Sequence, residues 1–147
     1  MKTFKHILVT TDFEPSSAEA LDVAMSLAQA FDAKLTLLHV WELPIYPYME
    51  FMLNSEVITS IEDRAVKRLD EAITKVRAVL PSANSMLKTG TPWGGIIDAI
   101  NELEPDLVVM GTHGRRGFSH LMLGSVAEKV VQLSPTPVLT VRPKQSS

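Results

Sequence analysis

The sequence predicts a single α/β domain, a doubly wound five-stranded parallel sheet with helices on both faces. Two observations carry that expectation. Short apolar runs at residues 6–11, 34–40, 85–88, 107–110 and 138–141 alternate with stretches of helical periodicity along the whole chain. Strands separated by helices of that length pair in parallel through right-handed crossovers, and the helices then cover both sheet faces. The 147 residues are enough for one substantial core and close to the size of one ordinary domain. With no internal repeat or low-complexity block, one domain is expected over residues 1–143, followed by a short exposed tail at 144–147.

Each element has its own justification. Residues 6–11 form the first strand, bounded by Asp12 and the turn-prone Glu14-Pro15 pair. Ser16 with Glu19 fits a reciprocal capping box, and Ala20, Leu21, Ala24, Leu27, Ala28 and Phe31 set an apolar stripe on the helix that follows. Residues 34–40 are the second strand. Residues 41–54 carry Pro44, Tyr46, Pro47, Tyr48 and Phe51 and read as a long connection. It either packs back on the sheet or serves as a flap or dimer contact.

Residues 56–80 carry Ile58, Ile61, Ala65, Leu69, Ala72, Ile73 and Val76 at helical spacing, with charges between them and a stop at Pro81. A short third strand follows at 85–88. Thr91-Pro92 then supplies a cap and a first-turn proline for a helix with Ile96, Ile97, Ile100 and Leu103 on one side. Residues 107–110 are the fourth strand. Leu123, Val126, Ala127, Val130 and Val131 outline a further helix, closed by Pro135 before the fifth strand at 138–141.

The totals exclude several classes of function. A net charge of -3, from 14 basic and 17 acidic residues, gives no strong field for nucleic acid or a membrane surface. The absence of cysteine removes disulfide, thiol and zinc-thiolate chemistry. His6, His39, His113 and His120 lack a metal-ligand spacing. Ser119 and Ser125 complete no nucleophile triad with a nearby histidine and acid. No apolar run is long enough to span a bilayer, and the amino terminus enters a strand-like run without a leader pattern, so a cytoplasmic location is expected.

The segment with chemical content follows the fourth strand. Gly111-Thr112-His113-Gly114-Arg115-Arg116-Gly117 is a glycine-rich bend, and Gly124-Ser125-Val126 opens the next helix. Glycines let backbone amides approach an anion, and a helix start adds unpaired amides and the positive end of the helix dipole. The Ser125 hydroxyl is a further donor. The plain alternative is that these glycines only turn the chain, and spacing alone weighs the two equally. His113 and Arg115 lie inside the bend within reach of a phosphate, with a solvated loop rim as their other use. The lysine-bearing phosphate loop and the glycine-rich dinucleotide turn are both missing. Asp12, at the carboxyl end of strand one, suits either ribose hydroxyls or a local turn.

The arrangement Gly111-x-x-Gly114, nine intervening residues, then Gly124-Ser125 after an apolar strand resembles the ATP-binding branch of the universal stress protein family. Asp12 and Pro15-Ser16 after strand one, and His39-Val40 at the end of strand two, fit the same family, whose five strands and four main helices span nearly the whole chain. The resemblance implies the strand order 3-2-1-4-5, adenine against the Val40 backbone, ribose near Asp12, and phosphates over Gly111, Gly114, Gly124, Ser125 and Val126; Gly117, His113 and Arg115 join them only through their place in the glycine bend. It implies ATP as ligand and a homodimer through residues 138–141; magnesium or manganese could accompany the ATP, because phosphate oxygens and water would supply most of its ligands. The function expected is a stress-response module whose nucleotide state alters loop order or dimer geometry. Slow ATP hydrolysis or autophosphorylation is one alternative, although no base is identified. The other is a nucleotide-independent dimer that binds a protein client.

Overall fold

The computed structural model describes residues 2–42, 55–112 and 123–144. In chain order the elements are β1 (His6–Thr10), α1 (Pro15–Phe31), β2 (Lys34–Trp41), α2 (Ser55–Arg77), β3 (Asn84–Thr89), α3 (Pro92–Leu103), β4 (Leu107–Gly111), α4 (Ser125–Leu133) and β5 (Val138–Val141). All strand pairs are parallel, in the order β3-β2-β1-β4-β5. The sheet is therefore the expected one.

Side chains alternate across the strands and build two cores. Ile7, Val9, Leu35, Leu37, Leu107 and Val109 meet Ala20, Ala24 and Ala28 of α1 and Leu69, Ile73 and Val76 of α2. On the other face, Leu8, Leu38, Val108 and Met110 meet Ile96, Ala99 and Ile100 of α3 and Ala127 and Val130 of α4. Because both faces are covered, the central strands have no polar side, which is why they read as continuous apolar runs rather than alternating ones. The alanines of α1 carry no bulk beyond Cβ, so that helix can lie close over the middle of the sheet.

Several boundaries differ from the sequence expectation. Helix α1 starts at Pro15, with Glu14 as its N-cap and no side-chain capping bond. Ser16 is thus inside the helix and buried, and the Ser16–Glu19 capping box does not form. Proline at the first helical position, with its φ already helical, moves the start ahead of the serine. Phe31, expected on the apolar stripe, is 41% exposed, and its ring meets Phe4 edge-on at 5.2 Å. Trp41 belongs to β2 and is buried, so the connection after β2 begins later than its composition suggested; residues 43–54 lie outside the described residues. Helix α2 ends at Arg77, and the Val79 and Leu80 amides donate back to the Val76 carbonyl ahead of Pro81. Among the described residues, no helix is long and apolar enough to cross a membrane.

Candidate functional site

Strands β1 and β4 are neighbours, with Ile7 opposite Leu107 and Val9 opposite Val109. From this pair the chain winds apart, β1 through α1 towards β2 and β4 through α4 towards β5. Helices α1 and α4 lie on opposite faces, so the winding reverses at the carboxyl ends of β1 and β4, the place where open α/β sheets hold ligands. Asp12, Gly111 and the start of α4 share that edge.

Asp12 is held by its own turn. Its backbone amide donates to Ser17 Oγ at 3.1 Å, its Oδ1 accepts the Glu14 amide at 2.9 Å, and the Ser17 hydroxyl donates to the same oxygen. Among the described residues Oδ2 has no hydrogen-bond partner. Turn formation, which the sequence posed as a rival of ligand contact, thus engages only one oxygen of the carboxylate among the described residues. Phe13, the next residue, has φ of 65°, a left-handed conformation that costs an L-residue about 1–2 kcal/mol. The ring holds it there. It lies 4.4 Å from the His39 ring, and the Arg68 guanidinium sits 4.5 Å from its centroid. His39 is buried, and its Nδ1 lies 2.8 Å from the Thr11 carbonyl oxygen, so that nitrogen carries the proton and donates it.

Val40 meets the same edge through its backbone. In a parallel ladder the amide and carbonyl of one residue point to the same neighbour. The Leu38 carbonyl accepts from Thr11 on the β1 side, and the Trp41 carbonyl accepts from Gly90 on the β3 side. By that alternation the Val40 peptide groups face β1, whose pairing stops at Thr10 opposite Leu38. The Phe13 amide has turned away to Thr11 Oγ1. The Val40 side chain points the other way, against Gly95 of α3, where an added β-carbon would stand 2.6 Å from Val40 Cγ1.

Gly111 closes β4 beneath the first turn of α1, and a β-carbon there would lie 3.1 Å from the Ser16 carbonyl oxygen. Close approach of a helix is therefore one physical reason for this glycine. After it, the Thr112 amide donates to Val141 and the Thr112 carbonyl accepts the Gly124 amide at 2.6 Å, which ties the start of α4 to the end of β4. Gly124 is the N-cap, Ser125 is the first helical residue and is exposed, and no side chain among the described residues caps this helix. By contrast, Thr91 caps α3 by accepting the Gly94 amide. Among the described residues the first amides of α4 thus have no side-chain acceptor. His113, Gly114, Arg115 and Gly117 lie outside the described residues.

The structure brings together Asp12, the Val40 backbone, Gly111 and the Gly124–Ser125–Val126 helix start at one edge of the sheet. Sequence reading missed Ser17, Phe13 and Gly95. The pair Gly94-Gly95 inside a helical pattern was the available signal, since glycine there needs a packing reason. Two titratable groups with displaced pKa values sit at the opposite edge. Burial, with help from the Lys34 charge, pushes His6 below its usual value despite the opposing Asp106. Backbone amides of Lys5 and His6, both 2.8 Å from Asp106 Oδ2, hold that carboxyl below its usual range. Among the described residues no group of three histidine, cysteine or acidic side chains is arranged to hold a metal.

Comparison with known proteins agrees with this architecture. The profile of the universal stress protein family matches residues 3–142. Universal stress protein YxiE of Bacillus subtilis is 33% identical over 147 residues, covering 95% of this chain and 99% of that protein. Universal stress protein UspA from Lactobacillus plantarum superposes with a TM-score of 0.83 at 26% identity, over 97% of this chain and 100% of the other. A universal stress protein solved in complex with cAMP superposes with a TM-score of 0.70 at 25% identity, over 97% of this chain and 100% of the other.

Proposed function

The chain belongs to the universal stress protein family, and from that premise we propose that it is an ATP-binding regulatory module of the stress response, its nucleotide state coupled to loop order or to dimer geometry. The observation that supports this reading is the presence, at the winding reversal, of two groups without a side-chain partner among the described residues. The Oδ2 oxygen of Asp12 and the uncapped amides of α4 lie beyond the carboxyl ends of adjacent strands. An acceptor for sugar hydroxyls and donors for phosphate oxygens are the complementary needs of a nucleotide. The Val40 peptide groups, turned towards the same edge, suit the hydrogen-bonding rim of adenine. That a similar protein was solved with cAMP supports an adenine nucleotide as the ligand class.

Magnesium or manganese would travel with the triphosphate, since phosphate oxygens and water supply most of its ligands. Gly111, Gly124, Ser125 and Val126, joined by His113, Gly114, Arg115 and Gly117 of the glycine bend, are the phosphate contacts in this reading. Residues 138–141 form its dimer contact, and the cytoplasm is its location. Calorimetric titration with ATP, ADP, AMP and cAMP is the direct test. Saturable binding of at least ATP is expected. No binding of any of the four at millimolar concentration rejects the proposal.

A further inference from the structure

We propose that Phe13 is a positioning residue that aims the Asp12 carboxylate, and so makes the site selective for nucleotides with an intact ribose diol over deoxynucleotides. This rests on the nucleotide reading above and deepens it. Three observations support it independently of any ligand. Phe13 adopts a left-handed backbone conformation that its own side chain disfavours, so tertiary contacts hold it there. Those contacts come from two different elements, His39 on β2 at 4.4 Å and Arg68 on α2 at 4.5 Å from the ring centroid. The backbone on both sides of Phe13 is pinned in the same small turn. Its own amide donates to Thr11 Oγ1, and the Glu14 amide that follows donates to Asp12 Oδ1.

The consequence is directional. Rotation of the peptide between Phe13 and Glu14 would withdraw the Glu14 amide from Oδ1 and leave the carboxylate on Ser17 alone, free to turn about its side-chain torsions. With the ring clamped, Oδ1 stays occupied by Glu14 and Ser17, and Oδ2 keeps one orientation at the carboxyl end of β1. A carboxylate oxygen fixed in that way contributes most to a ligand that places a hydroxyl in front of it, and little to one that lacks the hydroxyl. Arg68, exposed on α2, is the outer half of the clamp.

The test is a set of dissociation constants for ATP, 2′-deoxy-ATP and 3′-deoxy-ATP with the wild type and with Phe13→Gly, Phe13→Tyr and Arg68→Met. Glycine permits the same backbone angle without the ring, and Arg68→Met removes the cation from an exposed helix face, so the second keeps the test valid should the first fail to fold. The wild type is expected to favour ATP over the weaker-binding deoxy analogue by at least roughly tenfold, as for a hydroxyl bonded to a charged acceptor. Phe13→Gly should reduce that ratio to about twofold while deoxynucleotide affinity changes little, Arg68→Met should give an intermediate ratio, and Phe13→Tyr should restore it. A wild-type ratio kept in both Phe13→Gly and Arg68→Met, even with all affinities lowered together, overturns the proposal and leaves Phe13 a purely structural role. Equal binding of all three nucleotides by the wild type overturns it as well and leaves nucleotide binding intact. Failure of the wild type to bind ATP removes the nucleotide reading and this inference with it.

Discussion

Gly111 lies so close beneath α1 that a β-carbon at this position would stand 3.1 Å from the carbonyl oxygen of Ser16. The contact joins the end of β4 to the first turn of the helix that leaves β1. Replacing a glycine by alanine ordinarily stabilises a protein by about 0.4–1 kcal/mol through the unfolded state. Here the neighbour is backbone, and overpacking costs about 1–3 kcal/mol. Gly111→Ala should therefore lose about 1 kcal/mol and Gly111→Val more. Urea denaturation measures it, and an unchanged or raised stability of the alanine variant contradicts the packing account.

Gly95 makes a comparable contact with a side chain. An added β-carbon would meet Val40 Cγ1 at 2.6 Å and Cγ2 at 2.7 Å. Alanine is the better helix former by about 1 kcal/mol, yet the clash should win, so Gly95→Ala is expected to be destabilising in the wild type. In a Val40→Ala background both methyl groups are gone, and the same change should become neutral or stabilising. A double-mutant cycle with no coupling between positions 40 and 95 would mean that the two do not press on each other.

Acid should weaken the fold in two windows. His6 has its folded-state pKa pushed below 6.5 by burial, so the unfolded chain takes up the proton first as pH falls. Stability present above pH 6.5 is then lost as pH drops towards the folded-state value. Asp106 is depressed below 3.8 by the Lys5 and His6 amides, and its contribution, present above that value, fades as pH falls further through the folded-state pKa. Urea midpoints measured from pH 7.5 to 5.5 should fall less for His6→Gln than for the wild type. Parallel curves for the two proteins would remove His6 from the account.

Leu139 is 38% exposed on β5, an edge strand of the sheet. An edge with an open ladder and an apolar side chain invites a second strand. On the proposed pairing through residues 138–141, the wild type should run as a homodimer and Leu139→Asp as a monomer at micromolar concentration, with nucleotide affinity within about twofold, as burying an unpaired carboxylate opposes association. Light scattering coupled to size exclusion reads the mass. A variant that stays dimeric moves the contact away from β5.

Much of the fold was legible because parallel strands buried on both faces are unbroken apolar runs, such as Leu107 to Met110, and because Pro81, Thr91-Pro92 and Pro135 punctuate the helices at their ends. The strand order was not legible from periodicity. Pairing of β1 with β4 joins residues about one hundred positions apart, and local pattern carries nothing about such contacts; only the family resemblance supplied it. The Ser16–Glu19 pair mimicked a cap, but with Pro15 as the first helical residue the N-cap lies two residues earlier, at Glu14, and the serine that does serve Asp12 is Ser17. Phe13 escaped notice because its left-handed angle has no signal in the local sequence, and the partners of its ring, His39 and Arg68, sit on other elements.

The central claim is that the amides at the start of α4 and the Asp12 carboxylate face one nucleotide. Amide-resolved NMR during titration with ATP and magnesium tests it most directly. The account predicts saturating shifts at Asp12, Val40, Ser125 and Val126, with His6 and Asp106 at the opposite edge of the sheet unmoved. Saturable ATP binding whose shifts spare Asp12 and the α4 start, and gather elsewhere, would contradict it.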